Sequence, residues 1–206
     1  MPNPTEILAD LSAVANGAIA VAVAWHVLMA AVGIALALGW RPSQRLAGEL
    51  LAAPLASVAL TALAFENPFN AGVFAGLAAA QLALARRGSL ESVRIGPVSA
   101  TAIGLLMLGL GWIYPHFLAD RGSWIYFYAA PLGVVPCATL YAVVGFSLLG
   151  ATSRAASDVL ACAGLFFGLF GMARLGVRLD LGLVIGSAAL AAVRPARPLV
   201  AEKRPA

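Results

Sequence analysis

Seven apolar runs, separated by short clusters of charged residues, glycine and proline, set the pattern of this chain. They cover about residues 15–39, 49–65, 69–85, 97–118, 124–149, 159–173 and 181–193. A bilayer core of about 30 Å takes roughly 20 helical residues to cross, and most of these runs approach that length. None shows the alternation of a barrel strand, so helices are the spanning form. The breaks are well marked. Trp40-Arg41-Pro42 ends the first run, and Glu66-Asn67-Pro68 ends the second, since the residue before proline avoids the helical region. Pro97 suits the first turn of the fourth run.

The pattern predicts an all-α integral membrane protein, a bundle of seven transmembrane helices. Residues 1–14 form an N-terminal segment, 15–193 a single transmembrane domain, and 194–206 a disordered basic, proline-rich tail. Merging the last two runs into one re-entrant element gives six spans as the alternative. Basic residues decide between the two. The loops after spans 1, 3 and 5, with the tail, carry 10 Lys and Arg, and the other side carries Arg121, Arg174 and Arg178, which together are all 13. The positive-inside rule then places the N-terminus outside and the C-terminus in the cytoplasm, with seven spans. The N-terminal segment has Glu6 and Asp10 but no basic residue, so it lacks the n-region of a signal peptide and the first span is expected to stay.

Composition sharpens this. The chain has 206 residues, of which 62% are hydrophobic and 11% charged, and its mean hydropathy is +0.92. Soluble domains average roughly 45–50% apolar and about 25% charged residues. The net charge of +4 does not point to nucleic acid, because the basic residues stand singly or in pairs between apolar runs. The expected partners are the lipid bilayer and, beyond it, a second copy of the chain or other membrane subunits. Two cysteines in apolar runs give no disulfide framework.

The fifth run carries the candidate chemistry. Pro131 and Pro136 stand five apart with Gly133 between them. Each proline removes a backbone donor and frees a carbonyl, so the span kinks or breaks near residues 132–138. Broken spans expose backbone groups to substrates in many transporters. A packing kink, with Thr139 and water satisfying the carbonyls, is the plainer reading. Pro131, Gly133, Pro136, Cys137 and Thr139 form this kinked-span site.

Depth suggests a second set. At 1.5 Å per residue, His26 and Met107 lie about 16 Å from the outer ends of their spans and Cys137 about 18–20 Å. Three soft or borderline ligands at similar depth suit a soft metal such as copper. As ordinary packing residues Met107 and Cys137 need no metal, and no cofactor is required. A haem held by His26 and His116 is excluded, since their depths differ by roughly 12 Å.

Polar residues at the outer span ends, Glu66, Asn67, Asn70, His116, Asp120, Arg121, Arg174, Arg178 and Asp180, form either a polar vestibule with pairs such as Arg178–Asp180 or a solvated loop surface. Glu66, Asn67, His116, Arg178 and Asp180 are its candidate site residues. Trp112, Tyr114, Trp124, Tyr126 and Tyr128 fit an outer aromatic belt. Gly72/Gly76, Gly164/Gly168 and Gly182/Gly186 have the spacing of close helix contacts. No phosphate loop, His-Glu-x-x-His, Cys-x-x-Cys or Gly-x-Ser-x-Gly motif occurs.

Several stretches together resemble an uncharacterised bacterial multi-pass inner-membrane family of unknown function. They are Phe65-Glu66-Asn67-Pro68 with Gly72-Val73-Phe74 and Gln81, then Tyr114-Pro115, then Gly133-Val134-Val135-Pro136-Cys137-Ala138-Thr139, and a late Asp180-Leu181-Gly182-Leu183. The resemblance implies a membrane fold in the bacterial inner membrane and supplies no activity. Three functions remain open on the residues. The first is binding or passage of a small molecule or metal at the kinked fifth span. The second is thiol or metal redox chemistry at Cys137, and the third an accessory role in a larger membrane complex.

Overall fold

A computed structural model describes residues 3–118, 122–150 and 153–193. All regular structure among them is helical, and no strand forms. The helices are α1 (Pro4–Gly17), α2 (Ile19–Ala37), α3 (Gln44–Ala64), α4 (Pro68–Arg86), α5 (Val98–Ile113), α6 (Tyr126–Ala129), α7 (Pro136–Leu149), α8 (Arg154–Leu175) and α9 (Asp180–Ala192). Four of them, α2, α3, α4 and α8, are long and apolar enough to cross a membrane. The other three of the seven expected spans are shorter apolar helices: α5, α7 and α9.

Two helix starts show why the boundaries fall where they do. Asn67 accepts from the Asn70 N–H at 3.1 Å, and Pro68 follows at the first helical position, where its missing N–H costs nothing. Ser153 caps α8 through the Ala156 N–H. The N-terminal segment, expected only to precede the first span, is itself a helix. Asn3 and Glu6 form a reciprocal capping box, with both bonds at 2.8 Å, ahead of Pro4. α1 buries Leu11, Val14 and Ala15, and Ala18 separates it from α2. The first expected span is therefore the later part of a broken two-helix unit.

α7 is the centre. It is buried from Pro136 through Gly145 and packs against α3, α5, α8 and α9. It crosses α5 closely, because Gly104 and Gly145 each face the other's backbone carbonyl. α2 is the opposite case, with Ala22 and His26 as its only buried residues.

The connections sort to two ends. Val93 donates to Pro42 O at 2.8 Å, Gln44 to Glu91 O at 2.9 Å and Gly96 to Leu149 O at 2.9 Å, while the Arg154 side chain reaches Val193 O. These bonds bring the 38–43 and 87–97 loops, the end of α7, the start of α8 and the end of α9 together. The other end joins α1 to the segment after α5, through Asn16 on Phe117 O at 2.9 Å, and α5 to α9, through Tyr114 on Asp180. Among the described residues, Arg41, Arg45, Arg86, Arg87, Arg94 and Arg154 belong to the first end, and Arg174 and Arg178 to the second.

Candidate functional site

The fifth run is broken rather than bent. Helical structure stops at Ala129 and resumes at Pro136. Between them Gly133 takes a left-handed φ of +71°, which a side chain disfavours. The Trp25 indole also lies where a Gly133 side chain would begin. The break is satisfied from within. The Thr139 hydroxyl accepts from Gly133 N–H at 2.9 Å and donates to Val135 O at 2.8 Å. Two prolines create the interruption, and one threonine closes it.

Past the break, three short helices bring their ends together. Asp180, the first residue of α9, is 1% exposed. Tyr114, just beyond α5, donates to its Oδ1 at 2.7 Å, and the Cys137 thiol, in the first turn of α7, donates to Oδ2 at 3.2 Å. Tyr141 donates to the adjacent Leu179 carbonyl. A buried carboxyl must find donors, and here they are a phenol and a thiol. No ion pair involves Asp180 among the described residues, where the pairs are Arg45–Glu49 and Arg154–Asp158. Gly171 of α8 makes the room, since a side chain there would overlap the carboxylate.

Among the described residues, the side-chain hydrogen bonds from α2 to the bundle lie at one level. Trp25 Nε1 donates to Ser57 Oγ at 2.8 Å, and the His26 ring nitrogens face Ala22 O at 2.8 Å and Trp112 O at 3.0 Å. A neutral imidazole has one N–H, so its tautomer selects which of these carbonyls it bonds. Beyond this anchor the rest of α2 stands away from the bundle and leaves an apolar cavity of about 650 Å³. Its walls are Leu28, Val32, Gly33 and Leu36 of α2, Leu50 and Leu51 of α3, Leu105 and Leu108 of α5, and Ala142 and Phe146 of α7. Trp25 and Trp112 line it as well, with Leu132 of the broken segment, and Trp40 and Arg41 belong to its end at the 38–43 loop. The volume is in the usual range for small-molecule sites, roughly 300–1,000 Å³.

The structure thus redistributes the expected site residues. Of the broken segment only Leu132 lines the cavity; Pro131, Gly133, Pro136, Cys137 and Thr139 do not. His26, Met107 and Cys137 each have separate company: two carbonyls, Gly186 of α9, and Asp180. No group of three or more His, Cys, Asp or Glu side chains suited to a metal ion occurs among the described residues.

In the vestibule set the Arg178–Asp180 pair does not form. Arg178 is exposed, whereas Asp180 turns inward to Tyr114 and Cys137. Glu66 is exposed with a positive φ of 56°, Asn67 serves as a cap, and Asn70 is buried. His116 is half-buried and packs its ring on Phe117 at 4.4 Å. Asp120 and Arg121 lie outside the described residues, as does the 194–206 tail. Tyr114 leaves the aromatic belt for the interior, while Trp124 and Tyr128 stay exposed. Of the glycine pairs, Gly164 and Gly168 pack on Ser187 and Val184 of α9, and Gly182 and Gly186 meet Tyr141 and Met107. Gly72 and Gly76 face open space.

Sequence reasoning missed both the cavity and the Tyr114–Asp180–Cys137 contact. The cavity comes from the stance of α2, which no local pattern encodes. Gly168 and Gly171 in α8 were the available signal for a side chain entering opposite them. No protein-family model, curated protein or solved structure matches this chain.

Proposed function

We propose that this is a seven-span protein of a bacterial inner membrane, N-terminus outside and C-terminus in the cytoplasm, that binds a small apolar molecule in the groove between α2 and the bundle. The gathering of six arginines at one end and two at the other supports the orientation. Four helices long and apolar enough to cross a membrane support the membrane location. One observation carries the function: a cavity of about 650 Å³ walled almost wholly by apolar side chains, beside a helix whose side-chain hydrogen bonds to the bundle lie at one level. The broken fifth segment serves the cavity through Leu132 and sets the start of α7, whose Ala142 and Phe146 form its back wall.

Filling the cavity is the test. Gly33 lines it, and nothing lies within 4 Å of the point where a side chain there would begin, so Gly33→Phe starts from an uncrowded position and is expected to fill the groove. Native mass spectrometry of the detergent-extracted protein is expected to show a bound apolar molecule in the wild type and its loss in Gly33→Phe, at unchanged helical circular dichroism. A ligand-free wild type, or equal retention in both, refutes the reading.

Thiol or metal chemistry at Cys137 is the second reading, favoured by the carboxylate 3.2 Å from its sulfur. Elemental mass spectrometry beside Cys137→Ser decides it. A stoichiometric soft metal such as copper, lost in the variant, supports it, and a metal-free protein in both forms removes the metal branch.

A further inference from the structure

The groove has a direction. Its inner limit is the Trp25 level, where α2 is fastened to α3 and α5. From Trp25 to Ala37 is twelve residues of helix, about 18 Å at 1.5 Å per residue. Half the thickness of a bilayer core is about 15 Å, so the groove has the depth of one leaflet. Apolar walls of that depth match a lipid chain lying along the membrane normal better than a compact solute.

The other limit of the groove is charged. Arg41 lines it there, and its Nη1 donates at 2.9 Å to both Leu36 O and Trp40 O, which holds the guanidinium over the end of α2. Among the described residues Nε and Nη2 have no protein partner, and Arg41 makes no ion pair. Arg45 at the same end is taken by Glu49 at 3.0 Å. With Arg45, Arg86, Arg87, Arg94 and Arg154 around it, that end has an excess of positive charge over Glu49, Glu91 and Asp158. Two free guanidinium nitrogens at the head of an apolar groove are the complement of a phosphate ester, and a headgroup with no cation of its own leaves that phosphate's charge to Arg41.

We propose that the groove holds one anionic phospholipid of the surrounding leaflet, its chain along α2 and its phosphate on Arg41. This rests on the groove reading above and names its occupant. The indoles allow a direct readout, since Trp25, Trp40 and Trp112 line the cavity while Trp124 is exposed elsewhere. In a Trp124→Phe background in detergent, fluorescence is titrated with dibrominated phosphatidylglycerol or with phosphatidylcholine of the same chains. Phosphatidylglycerol is expected to reach half-quenching at about one-fifth the concentration, the factor that one arginine contributes near a surface. Arg41→Gln is expected to abolish that preference and keep quenching by both lipids, whereas Gly33→Phe weakens both. Equal quenching by the two lipids in the wild type, or a preference that survives Arg41→Gln, overturns the lipid assignment and leaves the groove reading standing. Quenching unchanged in Gly33→Phe overturns the groove reading itself.

Discussion

Two glycines in helix interiors provide a test with opposite signs. Gly76 lies in α4 and a methyl group there meets open space. Replacing it by alanine removes backbone freedom from the unfolded chain and is expected to stabilise by about 0.5–1 kcal/mol. Gly171 has the same intrinsic gain to offer, but a methyl group there overlaps the carboxylate of Asp180 and crowds its Cγ and Cβ. The conflict therefore involves the whole side chain, so turning its tip away does not relieve it. Moving Asp180 breaks its bonds to Tyr114 and Cys137. Stranding buried partners costs about 1–3 kcal/mol each, so after the helix gain Gly171→Ala is expected to destabilise by roughly 1–5 kcal/mol. Thermal unfolding in detergent, followed by intrinsic fluorescence, reads both variants. Gly76→Ala should rise and Gly171→Ala should fall by several degrees. If the two shift in the same direction, Asp180 does not sit under Gly171 and the three-helix junction is wrong.

Other variants probe the break and the thiols. Thr139→Val keeps the side-chain volume but strands Gly133 N–H, and a loss of about 1–3 kcal/mol in unfolding free energy by denaturant titration is expected. Gly133→Ala combines a left-handed φ with displacement of Trp25, so it should destabilise by more than about 1 kcal/mol and shift the Trp25 emission. Cys162 is exposed and Cys137 is buried, so a lipid-soluble maleimide should label one thiol per native chain and two after denaturation. Labelling that survives Cys162→Ser in the native protein would contradict the buried thiol.

How much of this the sequence announced depends on whether a feature is local. The apolar runs each contain a helix because burial in lipid or bundle needs only length and composition. The interruption at Pro131, Gly133 and Pro136 was legible for the same reason, since a missing donor and a permissive glycine act on their own neighbourhood. α1 has a local signal too, in Asn3-Pro4-Thr5-Glu6, but its charges and its place before an apolar run mask it. Asp180 looked like a loop residue because it stands beside Arg178 at a run's edge. Its partners, Tyr114 and Cys137, are 66 and 43 residues away, and no periodicity links them. Burial of a carboxyl is a tertiary fact, and only the small residues opposite it hinted at the space.

That junction also accounts for the short helices. In the proposed seven-span arrangement α5, α7 and α9 have 16, 14 and 13 residues, or about 24, 21 and 20 Å at 1.5 Å per residue, well under a 30 Å core. A helix end inside an apolar medium leaves unpaired N–H and C=O groups, each costing several kcal/mol. The chain places its polar side chains where those ends lie: Tyr114 at the close of α5, Cys137 and Thr139 at the opening of α7, Asp180 at the opening of α9. His26 reaches the Trp112 carbonyl in the last turn of α5, and Trp112 Nε1 reaches Phe127 O in α6 at 2.8 Å. The short helices and the buried polar residues are therefore one feature. With its polar groups spent on holding that junction, the protein leaves the length of α2 beyond His26 without polar ties, and the apolar groove opens along it.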